Sequence, residues 1–271
     1  PTPTEEIVLN ENNLKNIFRP STNEIQSLLT KKEETFNARL LNIDSKRIAK
    51  GQDFDQETGE LKKDGLIALS KSQAKALVEE IDSGPWVVSN IEEKPKTSNP
   101  KPPFTTSTLQ QEASRKLKFN TRKTMSTAQK LYEAGLITYM RTDSINLSDE
   151  AINASREIIS NDFGSEYLPD SARHFKGKVK NAQEAHEAIR PAGRKFKTVD
   201  EIKKSIGPDE SNLYELIWKR TIACQMKSAQ LKLTSITIKN QNTEFRTSGQ
   251  VILFAGYMKV YVESRDDIKT P

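Results

Sequence analysis

Residues 128–144 read Ala-Gln-Lys-Leu-Tyr-Glu-Ala-Gly-Leu-Ile-Thr-Tyr-Met-Arg-Thr-Asp-Ser, and they join a helical pattern to an extended one. Upstream, Met125, Ala128, Leu131 and Tyr132 recur at helical spacing, so a helix is expected from about Lys123 to Ala134 with those residues inward. Gly135 then stands where helices commonly end in a left-handed residue. Leu136 to Arg141 is expected to be a strand, in which residues two apart share a face. Tyr139 and Arg141 would project together, a potential nucleophile beside a rigid, always-charged fork suited to a phosphate. A phenol titrates near pH 10 and is a weak nucleophile at neutrality, so it needs help. On a phosphodiester that help is mainly electrostatic, and one well-aimed contact is worth about 3 to 4 kcal/mol. Asp143 could accept a proton or hold Arg141. Taken alone, a Tyr-x-Arg pair also reads as a strand aromatic next to a surface charge.

On the N-terminal side, the first 30 residues are polar and left unassigned, with Leu14, Ile17 and Phe18 hinting at a short helix. Phe36, Ala38 and Leu40 alternate as in a strand. Ser70 and Gln73 form a capping box before an apolar stripe of Ala74, Leu77, Val78 and Ile81 that Gly84-Pro85 stops. Trp86 to Ile91 is strand-like. The proline-rich run at 94–103 is expected to be irregular and to mark a boundary. Ser107 to Gln110 reads as a second capping box, with Leu109, Ala113 and Leu117 on one face. Ser148 and Thr198 open further helices, and a longer one spans 210–226. Alternation returns after Lys227, with a change of phase near Thr234 that suggests a bulge or a bend. The expected class is α+β: an antiparallel strand-based arch over 31–98 and 227–271, with a mainly helical, winged-helix-like domain inserted at 99–226 that carries the tyrosine.

Composition sets outer limits. The 271 residues suffice for one large domain or two modest ones, and charged residues make up 29% at a mean hydropathy of −0.70. No apolar run approaches the roughly 20 residues that span a bilayer, so a soluble, cytoplasmic protein without a membrane partner is expected. A single cysteine, Cys224, excludes an internal disulfide framework and a multi-cysteine zinc site; on an apolar helix face it reads as core. The net charge of +5 and pI near 9.1 make a polyanionic partner plausible without specifying one. The opening Pro-Thr-Pro-Thr-Glu-Glu reads as an internal segment, so a longer parent protein is expected.

A second candidate site is Ala182-Gln-Glu-Ala-His-Glu-Ala-Ile-Arg-Pro191. His186, one of two histidines, could donate a hydrogen bond to a phosphate oxygen or move protons near neutrality. Glu187 and Arg190 could support it. A zinc-protease reading fails because position 190 is arginine rather than the histidine that motif needs. A lone histidine also has a purely structural reading. Arg115, Lys116, Lys118, Arg122 and Lys123 cluster around a turn between two helices and read either as phosphate contacts or as solvated charge. Lys176, Lys178 and Lys180 read as a loop.

Taken together, Phe104-Thr-Thr-Ser-Thr-Leu-Gln-Gln-Glu-Ala, the 128–144 stretch, Tyr167-Leu-Pro and Gln183-Glu-Ala-His-Glu-Ala-Ile-Arg-Pro resemble type IA DNA topoisomerases, the bacterial ones most closely. The clear similarity runs from about residue 60 to 260. It implies that Tyr139 attacks a backbone phosphate of single-stranded DNA, giving a 5′-phosphotyrosine and a free 3′-hydroxyl. A strand then passes and the hydroxyl reverses the attack without ATP. It implies that Arg141 meets the scissile phosphate, that His186 contacts a DNA phosphate, and that negative supercoils are relaxed. It also implies an arch of curved strands bearing a tyrosine domain that lifts to open a gate.

The family's Mg2+ is held by a Toprim domain with an Asp-x-Asp-x-Glu motif. Asp53-Phe-Asp-Gln-Glu57 has that spacing but follows polar Lys46-Arg-Ile-Ala-Lys-Gly where a buried strand is required, so it reads as a polar turn. No metal ligand is therefore expected in this chain, and the Toprim-containing part of the same polypeptide becomes an implied partner along with DNA. The family's zinc-ribbon tail is also not matched. By itself the chain is expected to be inactive in relaxation. A rival class is a non-catalytic winged-helix-like DNA-binding module; a third is a tyrosine recombinase or type IB enzyme, which attaches to the 3′ end.

Overall fold

The computed structural model describes residues 15–19, 24–31, 34–81, 84–175 and 186–262. In chain order the elements are β1 (Lys15–Arg19), β2 (Glu24–Lys31), β3 (Glu34–Ile43), β4 (Lys46–Ile48), β5 (Leu66–Ile67), α1 (Lys71–Ile81) and β6 (Val87–Ser98). Then come α2 (Thr106–Leu117), α3 (Thr121–Glu133), α4 (Asp149–Ile158), α5 (Val199–Ser205), α6 (Pro208–Cys224), β7 (Ala229–Asn240) and β8 (Thr243–Phe254). The class is mixed α+β. The chain divides into two compact units, residues up to Pro95 with Lys232–Val251, and Lys96–Leu231 with the residues from Ile252 on.

The sheet runs in the order β1-β2-β3-β8-β7-β6, with β4 antiparallel on β3 and β5 parallel on β4. Asp44 and Ser45 both take positive φ, 48° and 63°, which is the twist a two-residue hairpin between β3 and β4 requires. In the first unit, Ala38, Leu40 and Ile43 of β3 pack with Ala74, Leu77 and Ile81 of α1, Trp86, and Ile238 and Phe245 of β7 and β8. The expected capping box forms: Gln73 N donates to Ser70 Oγ (3.3 Å), and Ser70 N donates to Gln73 Oε1 (2.9 Å). At the other end of α1, buried Asn240 donates through Nδ2 to Ile81 O (3.1 Å) and Gly84 O (2.9 Å), satisfying carbonyls that a helix end leaves open.

Two expectations give way in this unit. The short helix hinted at around Leu14 to Phe18 is instead β1, paired antiparallel from Lys15↔Leu28 to Arg19↔Glu24, because backbone pairing with β2 outweighs a weak local preference. The 94–103 run is not wholly irregular, since β6 continues through Pro95 to Ser98. It can do so because β6 is an edge strand, where a residue without an N–H need not break a ladder. A register shift lies in β3 between Leu40 and Asn42, opposite β8. The phase change in β7 is real as well. Ala229 and Leu231 are buried in the second unit's core, Ile238 and Asn240 in the first unit, so the buried positions switch from odd to even.

The second unit is built around α6, whose Leu213, Tyr214, Leu216, Ile217, Thr221 and Cys224 are buried around the helix rather than along one stripe. Helices α2, α3, α4 and α5 all contact it. Burial pushes the Cys224 thiol up to about 12, as expected of a core cysteine. Helix α2 is capped by a Thr105/Thr108 box, not by Ser107, which lies inside the first turn. Helix α3 starts at Thr121 behind an Asn120 cap, earlier than Lys123, because the Asn120 side chain accepts from Lys123 N (2.8 Å). Its buried stripe is Thr124, Thr127, Ala128 and Leu131; Tyr132, expected inward, is 41% exposed.

Helix α3 ends as the glycine predicts. Gly135 has φ of 67°, its N–H donates to Tyr132 O (2.8 Å), and Leu136 N donates to Leu131 O (2.9 Å). These two bonds turn the chain sharply and drive Leu136 and Ile137 into the core. A Cβ at residue 135 would meet nothing within 4 Å, so only the backbone conformation disfavours a side chain there. Gly135→Ala is expected to destabilise the chain by about 1 kcal/mol, with Gly135→Asn milder, as read from urea-unfolding midpoints.

Candidate active site

Tyr139 is held by what lies on either side of it. Immediately before it, Thr138 N donates to Arg190 O (2.9 Å), Thr138 Oγ1 donates to Ala188 O (2.7 Å), and Arg190 N donates to Thr138 Oγ1 (3.0 Å). Ala192 N donates to Leu136 O (2.9 Å), and Ile137 bridges Pro191. Immediately after it, Met140 is buried, and its carbonyl accepts from Thr106 Oγ1 (2.8 Å) at the start of α2. Thr142 bonds to both the backbone and the side chain of the same threonine: Thr106 N donates to Thr142 O and Thr142 N donates to Thr106 Oγ1, both 2.9 Å. The expected strand over Leu136 to Arg141 is thus reduced to one isolated bridge in irregular backbone, because its partners are the irregular 188–192 segment and the start of α2 rather than a neighbouring strand.

Within that clamp Tyr139 is 50% exposed and Arg141 is exposed, with Met140 buried between them. The edge of one ring faces the other in the Tyr132–Tyr139 pair, with centroids 5.3 Å apart at 66°. Arg141 and Asp143 make no hydrogen bond or ion pair among the described residues, so the carboxylate does not hold the guanidinium.

The 186–190 segment separates into two kinds of residue. His186 is exposed and has no partner among the described residues. Arg190 is buried and fully engaged: Nε and Nη2 donate to Glu187 Oε1 and Oε2 (both 2.9 Å), and Nη1 donates to Pro191 O (2.8 Å) and Gly193 O (3.1 Å). Glu187 Oε1 also accepts from Ser148 N (2.7 Å), the cap residue of α4. Burial works against the Glu187 carboxylate, but the Arg190 hydrogen bonds, the Ser148 bonds and the nearby positive charge together hold it below its usual range. Glu187 and Arg190 therefore act as a clip that fixes the backbone beside His186.

The basic cluster is largely spoken for. Arg115 pairs with buried Glu112, Lys116 reaches Val262 O and lies 4.3 Å over the Tyr261 ring, and Lys123 pairs with Asp209 (2.8 Å) over Phe119. Arg122 is exposed with no partner among the described residues. Lys176, Lys178 and Lys180, and residues 183–185 of the histidine motif, lie outside the described residues.

Two features were not anticipated. One is the Tyr132 ring, whose signal is a second tyrosine seven residues before Tyr139 across a helix-ending glycine. The other is a buried polar group: Arg220 lies 4.6 Å over Phe104 and 4.3 Å over Tyr261 and donates to Tyr261 Oη (3.2 Å), which donates to Glu112 Oε2 (2.6 Å). Its signal was Glu112 on the inward face of α2, beside Leu109 and Ala113.

A carboxyl whose value is depressed in the fold stabilises it above the unfolded value and loses that contribution as pH falls through the folded one. Glu187→Gln should therefore cost roughly 2 kcal/mol at neutral pH. The gap to the parent should narrow once pH drops below about 4. Urea titrations of both proteins at neutral and acid pH measure this, and a gap independent of pH would count against the clip.

A family model described as DNA topoisomerase matches residues 5–271. DNA topoisomerase 1 of Synechocystis is 47% identical over 245 residues, covering 90% of this chain and 27% of that protein. DNA topoisomerase 1 of Mycobacterium tuberculosis is 48% identical over 242 residues, covering 86% of this chain and 26% of that protein. The full-length topoisomerase I structure from Thermotoga maritima superposes with a TM-score of 0.62 at 33% identity, over 85% of this chain and 34% of that one. The chain thus spans about a quarter of the length of these curated relatives. A clamped, exposed tyrosine and a match over nearly every residue lead to one conclusion: the chain belongs to the DNA topoisomerase family.

Proposed function

We propose that this chain is the arch and tyrosine-bearing part of a bacterial, cytoplasmic type IA DNA topoisomerase. The arch corresponds to residues 31–98 and 227–271, and the winged-helix-like tyrosine domain to 99–226. Tyr139 Oη attacks a backbone phosphorus of single-stranded DNA. The Oη–P bond forms as the P–O3′ bond breaks, the phenol proton leaves, and the departing 3′ oxygen is protonated. One phosphodiester replaces another, so ATP is not consumed and the free 3′-hydroxyl can reverse the step after a strand has passed. Negative supercoils are relaxed in consequence.

Arg141 opposes the charge that develops on the phosphoryl oxygens, and His186 donates to a phosphate of the same strand. Asp143, without a partner among the described residues, accepts the phenol proton. Glu187 and Arg190 support His186 from behind. Arg115, Lys116, Arg122 and Lys123 contact phosphates, Arg122 most readily because it gives up no partner among the described residues. The observation that carries the reading is an exposed Tyr139 ring between two backbone anchors in a chain of this family.

The family's Mg2+ does not fit the described residues. Asp53 already binds Arg47 Nη2 (2.9 Å) and Lys50 N (2.8 Å), which holds its carboxyl at about 2, and Asp55 Oδ1 accepts from Glu57 N and Thr58 N. Asp53-x-Asp55-x-Glu57 is a polar turn, and no step is assigned to a metal here.

In the full-length polypeptide, Tyr139→Phe should abolish covalent capture of labelled single-stranded DNA while leaving its binding nearly unchanged. A non-catalytic DNA-binding module would form no adduct in either protein, and a 3′-attached adduct would indicate the opposite polarity. The 271-residue chain alone, mixed with supercoiled plasmid and Mg2+, should give no relaxed product on an agarose gel; robust relaxation would show the catalytic set to be complete within it.

A further inference from the structure

We propose that Tyr132 is a positioning residue that holds the Tyr139 ring in its attacking orientation; the inference rests on the reading of Tyr139 as the nucleophile. The backbone on both sides of Tyr139 is tied, at Thr138 and at Met140, but those bonds leave the two side-chain torsions of a half-exposed ring free. No hydrogen bond reaches the Tyr139 hydroxyl among the described residues. What does meet the ring is the ring of Tyr132, edge to face at 5.3 Å and 66°, the arrangement that aromatic quadrupoles favour.

Tyr132 is itself well anchored. It sits in the last turn of α3, and its carbonyl accepts from Gly135 N (2.8 Å) in the turn that reverses the chain toward Tyr139. The same turn that ends the helix thus sets the spacing between the two rings. Tyr132 contributes little to the core, being 41% exposed and one residue past the buried stripe that ends at Leu131. Its hydroxyl has no partner among the described residues, so the contact is one of ring against ring. An aromatic of either kind should serve, and an aliphatic of similar bulk should not. The advantage is entropic. A nucleophile already confined to one orientation loses less freedom on reaching its phosphate.

The test uses the full-length polypeptide and single-turnover formation of the covalent adduct on a labelled single strand. Tyr132→Leu should slow adduct formation roughly three- to tenfold, the range that one aromatic contact supports. DNA affinity by fluorescence anisotropy and the thermal unfolding midpoint should stay unchanged. Tyr132→Phe should react within about twofold of the parent, since it keeps the aromatic ring. In the 271-residue chain, ring-current shifts of the Tyr139 aromatic protons should survive Tyr132→Phe and collapse in Tyr132→Leu. Parental speed in Tyr132→Leu overturns the proposal. So does a Tyr132→Phe enzyme as slow as Tyr132→Leu, or a rate loss explained by weaker DNA binding. Tyr139→Phe is run alongside: if it still forms the adduct, the nucleophile has been misassigned and this inference falls with it. If Tyr139→Phe is dead and Tyr132→Leu is normal, only the positioning role fails.

Discussion

Thr138 spends its backbone N–H and its hydroxyl on residues 188–190, and that joint fixes the geometry of the candidate site. Each such bond contributes only about 1 kcal/mol net, but leaving its partner unsatisfied in a buried setting costs more. The joint therefore resists partial loosening. It links segments about fifty residues apart in sequence, the one that carries Tyr139 and the one that carries His186. Because the next residue after Thr138 is Tyr139, the tyrosine backbone inherits this placement without using any atom of its own side chain.

The joint is only as firm as what lies behind it. Helix α3 delivers the chain through the Gly135 turn, and buried Leu131, Leu136 and Ile137 root that turn in the core around α6. On the far side Thr106 ties residues 140–142 to the start of α2, and Ile189 N donates to Phe104 O (2.9 Å). Beneath Phe104 lies Arg220, with Tyr261 and Glu112 arranged around it. Buried charge is tolerated there because a carboxylate, a hydroxyl and two ring faces surround the guanidinium. The irregular active segment thus leans on helices at both ends.

Helices were the legible part of the fold. The Ser70/Gln73 and Thr198/Glu201 boxes, the Ser148 cap and Gly135 all work as their local chemistry dictates, since a cap depends on residues a few positions away. What escaped depended on distant neighbours. Pro95 sits within a strand because β6 is at a sheet edge, which composition does not reveal. Thr105 rather than Ser107 caps α2 because Thr106 is recruited by residues 140–142. Tyr132 looked like a core residue until the chain reversed and brought Tyr139 to it. In the candidate site, the residue types were readable, with Arg141 read as the phosphate-facing group and Arg190 as a support, but the bonding that distinguishes the two arginines was not. One arginine is buried in five hydrogen bonds and the other is exposed with none among the described residues, and nothing in their immediate sequence context separates them.

That division has a physical consequence. Groups already satisfied inside the fold, such as Thr138, Glu187 and Arg190, can change partners only by losing bonds they hold, so they suit scaffolding. Arg141, Asp143 and His186 hold none among the described residues and are solvated. Under the proposed function, Arg141 and His186 would trade water for an incoming phosphate, and Asp143 would take a proton, without dismantling the protein. Tyr139 lies between these classes, fixed at its backbone and with no hydrogen bond to its hydroxyl among the described residues. The proposed reversible transesterification calls for that combination: the phenolic oxygen would have to reach a phosphorus, remain bonded to it while a strand moves, and then be released into the position it started from. A tyrosine on a loose loop could form the bond but would pay in lost freedom on every cycle. In the proposed reaction, anchoring the backbone while leaving the reacting atom uncommitted would let forward and reverse attack begin from the same geometry.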